Sequence, residues 1–212
     1  MPRRTIRQGK SVDGLWAVVL AAGESRRLGR PKQLVLWRGE SLITRSVRAA
    51  QAVCGARVVV VLGAHRNAIG SELEPLGPVL ALNPHWTEGL ASSLRVGIAA
   101  LPASCDAALL QSCDQPRVPV RALQALAQCW RENPDHAVAS AYANTVGVPA
   151  ILPARLFTAL KTLAGDQGAR ALLRAEGARL RCLPVPEAAF DVDDEDSLRA
   201  LEADDEPART GQ

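Results

Sequence analysis

Leu15 to Ala21 is an unbroken apolar run that ends in small residues and then Gly23. Such a run predicts a strand buried on both faces that delivers the chain into a tight loop. The period then changes. Leu42, Ile43, Val47 and Ala50 recur at helical spacing behind Ser41, a favourable N-cap, and predict a helix that stops near Gly55. Arg57 to Leu62 returns to strand character, because Val58, Val59, Val60 and Val61 are β-branched, lack polar alternation and run into Gly63. The alternation continues with a short helix over Asn67 to Leu73, a strand at Val79 to Leu82 and a helix from Leu90 to Leu101. A strand at Ala107 to Gln111 and a helix from Val120 to Trp130 follow.

Strands alternating with helices over this length imply crossover units. They predict a three-layer α/β/α, Rossmann-like fold with a mainly parallel sheet, helices on both faces and the ligand at the carboxyl ends of the strands. The second half is less regular. Ala137 to Ala141 and Val148 to Leu152 read as strands, Arg155 to Leu163 and Ala169 to Glu176 as helices, and Arg179 to Val185 as a late strand. The proline and glycine content of this half suggests elements inserted to shape a substrate site. No internal repeat is found.

Composition narrows the picture. The 212 residues, 48% hydrophobic, suit a single domain, expected over residues 15–203. Residues 1–14 hold Arg3, Arg4, Arg7 and Lys10 ahead of any hydrophobic period, and the acidic end has few apolar positions from Glu202 onward. Residues 1–14 and 204–212 are therefore expected to lack order. A net charge of +3 is too mild to imply a nucleic-acid partner, and with 3% aromatics no base-stacking platform can be read, so none is expected. No apolar run approaches the roughly 20 residues needed to span a bilayer, and no charged-then-apolar leader opens the chain, so a cytoplasmic protein with no membrane partner is expected. Cys54, Cys105, Cys113, Cys129 and Cys182 are odd in number and lack the close pairs of zinc or redox motifs; they read as reduced thiols. His65, His85 and His136 share no ligand spacing and read as surface or polar-core residues.

The chemistry concentrates in LAAGESRRLGRPK, Leu20 to Lys32. A strand emptying into a loop with Gly23, Ser25 and Gly29 presents backbone N–H groups to one point, and Arg26, Arg27 and Lys32 surround that point with positive charge, which makes a phosphate cradle. No Gly-Lys-Ser/Thr closes the loop, so it is not an ATPase P-loop, and the glycine spacing is wrong for a dinucleotide fingerprint. Asp114 lies just past the strand Ala107 to Gln111, where its carboxylate would reach the strand-end crevice as a magnesium ligand or, alternatively, cap a helix. In Asp191-Val192-Asp193, extended alternation turns both carboxylates to one side, so either could be a second ligand. Asp194, Glu195 and Asp196 read as a helix start.

The loop resembles the opening pattern LAAGxSxRMGxPK of the molybdenum cofactor nucleotidyltransferases, within the wider sugar-nucleotide-transferase-like superfamily, with Leu28 in place of methionine. Further segments are similar in the same order. NPHWTEGLASSLRVGI resembles Asn-x-x-Trp-x-x-Gly-x-x-x-Ser-Leu, and LLQSCDQPRV resembles a segment ending in Asp-Gln-Pro, with Ser112 and Cys113 replacing small glycine-containing residues. GVPAILP, GDQGARALL and DVDDEDSL resemble the family's Gly-x-Pro, Gly-Asp-x-Gly-Ala-Arg and closing Asp-Ile-Asp-Thr-Pro-Glu-Asp-Leu segments.

The resemblance implies attack by the terminal phosphate of a molybdopterin-type acceptor on the α-phosphate of CTP, releasing pyrophosphate. It implies that Leu20, Ala21, Ala22, Gly23, Ser25, Gly29 and Lys32 bind the nucleotide, with Lys32 and Arg27 neutralising the triphosphate. Asp114 and Asp193 would hold Mg2+, and Asn83, Trp86, Gly89, Ser92, Ser93 and Asp166 would meet the acceptor. Read from the residues alone, Trp86 equally suits a core position, and Ser92 and Ser93 equally suit a helix cap. Ala22 favours CTP, since guanylyl-transferring relatives more often carry glycine there and leave room for a larger base. Other readings are a guanylyltransferase, a transferase for another phosphorylated metabolite, or a non-catalytic protein delivering cofactor to a molybdenum hydroxylase. One relative of the fold is described as an oxidoreductase, but no nicotinamide or flavin fingerprint is present here.

Overall fold

A computed structural model describes residues 14–204 of the chain. The elements begin with β1 (Leu15–Ala21), a short hairpin of β2 (Leu36–Trp37) and β3 (Glu40–Ser41), α1 (Leu42–Cys54), β4 (Val58–Leu62), α2 (Arg66–Leu73) and β5 (Val79–Leu82). They continue with α3 (Leu90–Ala99), β6 (Ala107–Ser112), α4 (Val120–Glu132), β7 (Ala137–Tyr142) and β8 (Thr145–Pro153). The chain closes with α5 (Phe157–Lys161), α6 (Arg170–Ala175), β9 (Leu180–Pro184) and α7 (Glu195–Glu202). Apart from Gly14 and Asp204, the ends expected to lack order lie outside the described residues.

Local chemistry accounts for the boundaries. Ser41 caps α1 by accepting from the Thr44 N–H at 3.2 Å. Asp194 caps α7 by accepting from the Ser197 N–H at 2.9 Å, and the Ser197 hydroxyl in turn accepts from the Asp194 N–H at 3.0 Å. α3 ends at Ala99, ahead of the expected Leu101, because a residue preceding a proline, here Pro102, is driven out of the α region. The helix expected over Arg155 to Leu163 is a 3-10 turn followed by a five-residue α5. β2 and β3 were not legible in advance, because two-residue strands carry no readable period.

The main sheet runs β5-β4-β1-β6-β8-β7-β9. β5, β4, β1 and β6 are mutually parallel, β8 is antiparallel to both its neighbours, and β9 is parallel to β7. The reversal follows from the tight β7–β8 hairpin, whose two turn residues, Ala143 and Asn144, both have positive φ (45° and 57°). Side-chain alternation divides the core: Ala17, Val19, Val58 and Val60 face α1, α2 and α4, while Val18, Leu20, Val59 and Val61 face α3, α5 and α6. That is the expected three-layer, mainly parallel arrangement.

The chain steps from β1 to β4 and β5 on one side and returns to β6 on the other, so a crevice opens at the carboxyl ends of β1 and β6. α3, which walls this crevice, approaches the sheet through Gly97, where an added Cβ would stand 2.5 Å from Val18 Cγ1 and 3.0 Å from Val61 Cγ2. Both neighbours are β-branched strand residues with little freedom to move aside. Gly97→Val should therefore cost about 1 to 3 kcal/mol by overpacking, read as a lower denaturant midpoint at unchanged m-value.

Candidate active site

β1 delivers the chain into the loop of residues 22–32 beside β6, which delivers Cys113 and Asp114; Leu20 and Ser112 are register partners in this pair. The loop is folded from within. Gln33, 1% exposed, donates its amide to the carbonyls of Ala21 (3.1 Å) and Gly23 (2.8 Å). The Ser25 hydroxyl accepts from the Lys32 N–H at 3.1 Å. Ser25 and Gly29 take positive φ (60° and 68°), closing the loop through Leu28 and Gly29 N–H bonds to the Ser25 carbonyl, both 3.1 Å. Gly23, Glu24 and Ser25 are left with N–H groups that meet no acceptor among the described residues, as a phosphate cradle requires.

Three distant segments converge on one nitrogen. Lys32 Nζ donates to Asp114 Oδ2 at 2.5 Å and to Asp193 Oδ1 at 2.8 Å, and Arg27 donates to the other Asp193 oxygen at 2.8 Å. The Ser112 hydroxyl donates to Asp114 Oδ1, and the Val192 N–H donates to the Asp114 carbonyl at 2.8 Å, pinning the Asp191 to Asp193 segment to the end of β6. Lys32 and Asp114 are only 14% and 17% exposed at the side chain, so water screens this pair less than a surface ion pair. Burial alone would lower the Lys32 pKa, but Asp114 and then Asp193 outweigh it and hold the ammonium above the ordinary lysine value. Asp193 is likewise held low: desolvation pushes it up, and Lys32 and Arg27 more than offset this. Asp191 goes the other way, raised to about 6 by desolvation first and by the Asp114 charge second.

A small separate core aims these groups. Leu28 from the loop, Val192 from between the two aspartates, Trp37 from the β2–β3 hairpin, and Leu198 and Leu201 of α7 pack together. With Val192 buried inward, Asp191 and Asp193 both line the crevice, as strand-like alternation implies.

The crevice has two lobes that meet at Asp114. One, of about 460 Å³, is lined by Leu20 to Arg26, Lys32 and the residues around Trp86. The other, of about 650 Å³, lies between Asp114, Asp191 and Asp193 on one side and α6 with Tyr142 on the other. Trp86, Gly89 and Ser93, expected at the acceptor, line the lobe into which the glycine loop opens, and Asp166 reaches both lobes. Asn83 and Ser92 line neither. Asn83 is buried and donates to the hydroxyls of Ser92 (2.8 Å) and Ser93 (3.1 Å), while Ser92 donates to the His85 and Gly89 carbonyls, both 2.9 Å. This network holds the 83–89 loop against α3 from below; the N-cap position of α3 is Gly89, which has no side chain to cap with.

Sequence reasoning did not single out Gln33, Gly63 or Gly89 as structural necessities. A Cβ at Gly63 would stand 2.6 Å from both the Ala22 carbonyl and Trp86 Cβ, and one at Gly89 would stand 2.5 Å from Asp166 Oδ1. No local signal distinguishes these residues from ordinary loop positions. Tyr142, Arg170 and Arg174, on the second lobe, were also not named.

A strand-end crevice at a topological switch point, with a glycine loop, a lysine and two carboxylates on it, defines an α/β nucleotide-binding enzyme. The chain belongs to the family of the MobA-like NTP transferase domain, matched over residues 17–180, and is a nucleotidyltransferase. It is 33% identical over 168 residues to a nicotine blue oxidoreductase of Paenarthrobacter nicotinovorans, covering 74% of this chain and 80% of that protein. It is also 33% identical over 117 residues to a probable molybdenum cofactor guanylyltransferase of Synechococcus elongatus, a match to little more than half of each protein (55% and 56%). Among solved structures, that of Rv0371c in complex with manganese, from Mycobacterium tuberculosis H37Rv, superposes with a TM-score of 0.75 at 26% identity, covering 90% of this chain and 98% of that one. Among the described residues no helix is long and apolar enough to cross a membrane, and no group of three or more His, Cys, Asp or Glu side chains could hold a metal ion.

The raised Asp191 carboxyl has a consequence for stability. A folded-state pKa of about 6 against an ordinary 3.8 means that ionising Asp191 destabilises the native chain, progressively from about pH 3.8 to about pH 6 and fully above it. Asp191→Asn should therefore raise Tm at pH 7 and above in metal-free buffer, and the gain should shrink as the pH falls and vanish near pH 4. A gain independent of pH would assign the effect to something other than this charge.

Proposed function

We propose that this chain is a magnesium-dependent cytidylyltransferase that joins CMP from CTP to the terminal phosphate of a molybdopterin-type acceptor. The observation that carries the reading is the Lys32 ammonium held between Asp114 and Asp193 at the mouth of the glycine loop. A triphosphate in the first lobe meets the free N–H groups of Gly23 to Ser25 and the cations Lys32 and Arg27. The acceptor, in the second lobe, meets the α-phosphorus from the other side of Asp114. The acceptor phosphate oxygen then forms the new P–O bond as the bond to the β-phosphate bridge breaks and pyrophosphate leaves. No protein nucleophile is required, and alignment with charge neutralisation supplies the rate.

Asp114 and Asp193 fit a magnesium ion in donor type: hard oxygens, partly buried, converging on one positive charge, with phosphate and water oxygens needed to complete the shell. Bound there, magnesium would neutralise charge on the triphosphate oxygens. Lys32, now shared by the two carboxylates, would be released to phosphate when a second cation takes its place between them. Free thiols at all five cysteines suit the reducing cytoplasm, and a molybdenum hydroxylase suits the role of receiver for the dinucleotide product.

Ala22, which lines the first lobe, supports CTP as donor through the family pattern, in which glycine at this position accompanies the larger base. The relative named an oxidoreductase favours one second reading, a redox reaction in the same crevice. Incubating the chain with magnesium, molybdopterin and CTP or GTP, followed by mass spectrometry of the products, should show the cytidine dinucleotide and pyrophosphate, with higher catalytic efficiency for CTP than for GTP. Equal or reversed efficiencies would remove the CTP assignment, and loss of NADH or NADPH absorbance in a parallel dye-reduction assay with no nucleotide product would favour the redox reading. Lys32→Ala should lower turnover at least tenfold while the circular dichroism spectrum stays unchanged, since it removes positive charge from the leaving pyrophosphate.

A further inference from the structure

The two edges of the main sheet are finished differently. β9 ends one side, and it is guarded: Arg181 and Pro184 stand exposed on the strand and Arg179 just before it. Charge and proline at such positions deter another strand from adding. β5 ends the other side with Val79-Leu80-Ala81-Leu82, and from Pro75 to Pro84 the chain carries no charged residue. Val79, Leu80 and Leu82 are 46%, 43% and 56% exposed. α2 comes up to Leu80 at Gly70, where an added Cβ would stand 3.7 Å from Leu80 Cδ1, and still leaves both leucines open.

The main chain of β5 also has an unused side. The Asn83 N–H donates to the Leu62 carbonyl at 2.7 Å, which turns Asn83, Ala81 and Val79 toward β4 and, by alternation, Leu80 and Leu82 outward. The N–H and C=O groups of these two leucines meet no partner among the described residues. Pro78 and Pro84 occupy the next outward positions on either side and have no N–H to offer. The open edge is therefore short and bounded at both ends.

Such an edge is complementary to itself. When a second copy is laid antiparallel about a two-fold axis through Ala81, Leu80 of each copy stands opposite Leu82 of the other, and every outward N–H meets a carbonyl. Sliding the partner by two residues in either direction sets a leucine carbonyl against a proline, so one register is favoured and pairing ends there. The leucines of both copies then share the α2 side of the joined sheet, and no like charges on the strand are brought together. The exposed side chains amount to on the order of 250 Å² per copy, and with the paired main chain the interface comes to about 1,000 Å² in total, the lower bound for a specific contact. An area of that size suits a dimer that forms and separates with concentration.

We propose that β5 is a homodimer interface, at which a second copy of this chain adds its own β5 antiparallel and joins the two seven-stranded sheets into one. The proposal rests on the sheet edge and not on the transfer reading.

Sedimentation equilibrium of the full chain should show monomer and dimer exchanging with concentration. Leu82→Lys, which sets an ammonium against the partner's leucine, and Val79→Lys on the opposite face should each weaken the dimer at least about tenfold with an unchanged circular dichroism spectrum. Leu36→Lys, at a still more exposed leucine on the β2–β3 hairpin, should leave it intact, which separates strand pairing from general stickiness. The register has its own test. Ala81 would face its own copy in a non-hydrogen-bonded pair with Cα atoms about 4.5 Å apart, within reach of a disulfide. Ala81→Cys combined with Cys182→Ser, which removes the exposed thiol, should therefore cross-link on mild oxidation, and Val79→Cys in the same background should not. A chain that stays monomeric at every concentration would overturn the proposal, as would a dimer that Leu82→Lys leaves intact or an Ala81→Cys variant that fails to cross-link. Hydrogen-exchange protection of the Leu80 and Leu82 amides should rise with concentration; protection independent of concentration would assign the edge to a segment of the same chain and overturn it equally.

Discussion

The site depends on one nitrogen. Lys32 Nζ lies between carboxylates 82 and 161 positions away in the chain, and joins the glycine loop, the end of β6 and the segment before α7 at a single point. Two carboxylates this close would repel each other if left alone, and a buried ammonium would lose its hydration without return. Together they balance. The arrangement is therefore self-consistent without ligand, and it also leaves Asp114 and Asp193 turned toward one place, as a shared cation requires. Asp191, outside the balance, bears the residual cost as a raised pKa.

Packing keeps that charge balance in position. Leu28 and Val192 sit in the same small core, so the glycine loop and the aspartate segment are packed against each other. Gln33 ties the loop to the end of β1 through two backbone carbonyls, and the Val192 N–H ties the aspartate segment to the end of β6. The rigid parallel sheet thus fixes both sides of the crevice, and short loops carry the chemistry. That division explains how one scaffold supports relatives with such different names as guanylyltransferase and oxidoreductase: the sheet sets where a ligand lies, and the side chains on the loops set what happens to it.

The two lobes differ in how they are built. The first is mostly backbone, a glycine loop held by hydrogen bonds that leaves the N–H groups of Gly23 to Ser25 facing the crevice. The second is mostly side chain, with carboxylates at one end and arginines and a tyrosine ring at the other. The lobes share Leu20, Leu90, Ser112, Asp114 and Asp166, so most side chains of the second lobe can change without touching the glycine loop.

What the sequence by itself determined was whatever local periodicity and short motifs encode. The run Leu15 to Ala21, the valines of β4, the capped helix behind Ser41 and the strand-ending loop with Gly23 and Lys32 each declare themselves within a dozen residues, because strand burial, helical spacing and turn chemistry are short-range properties. Asp114 was legible from its place after an apolar strand, and the pair Asp191 and Asp193 from alternation about Val192. Tertiary structure alone decided the rest. That Asn83 and Ser92 support a loop from below while Trp86 faces the crevice depends on which way a 3-10 turn rolls against α3, and no period records it. That Gly63 and Gly89 must be glycine depends on atoms from segments far away in the chain. Tyr142, Arg170 and Arg174 fall on one cavity only because β8 runs against its neighbours and brings the hairpin beside α6, where Arg174 donates to Thr145, a long-range pairing whose physical cause is the sheet order and not any residue near them.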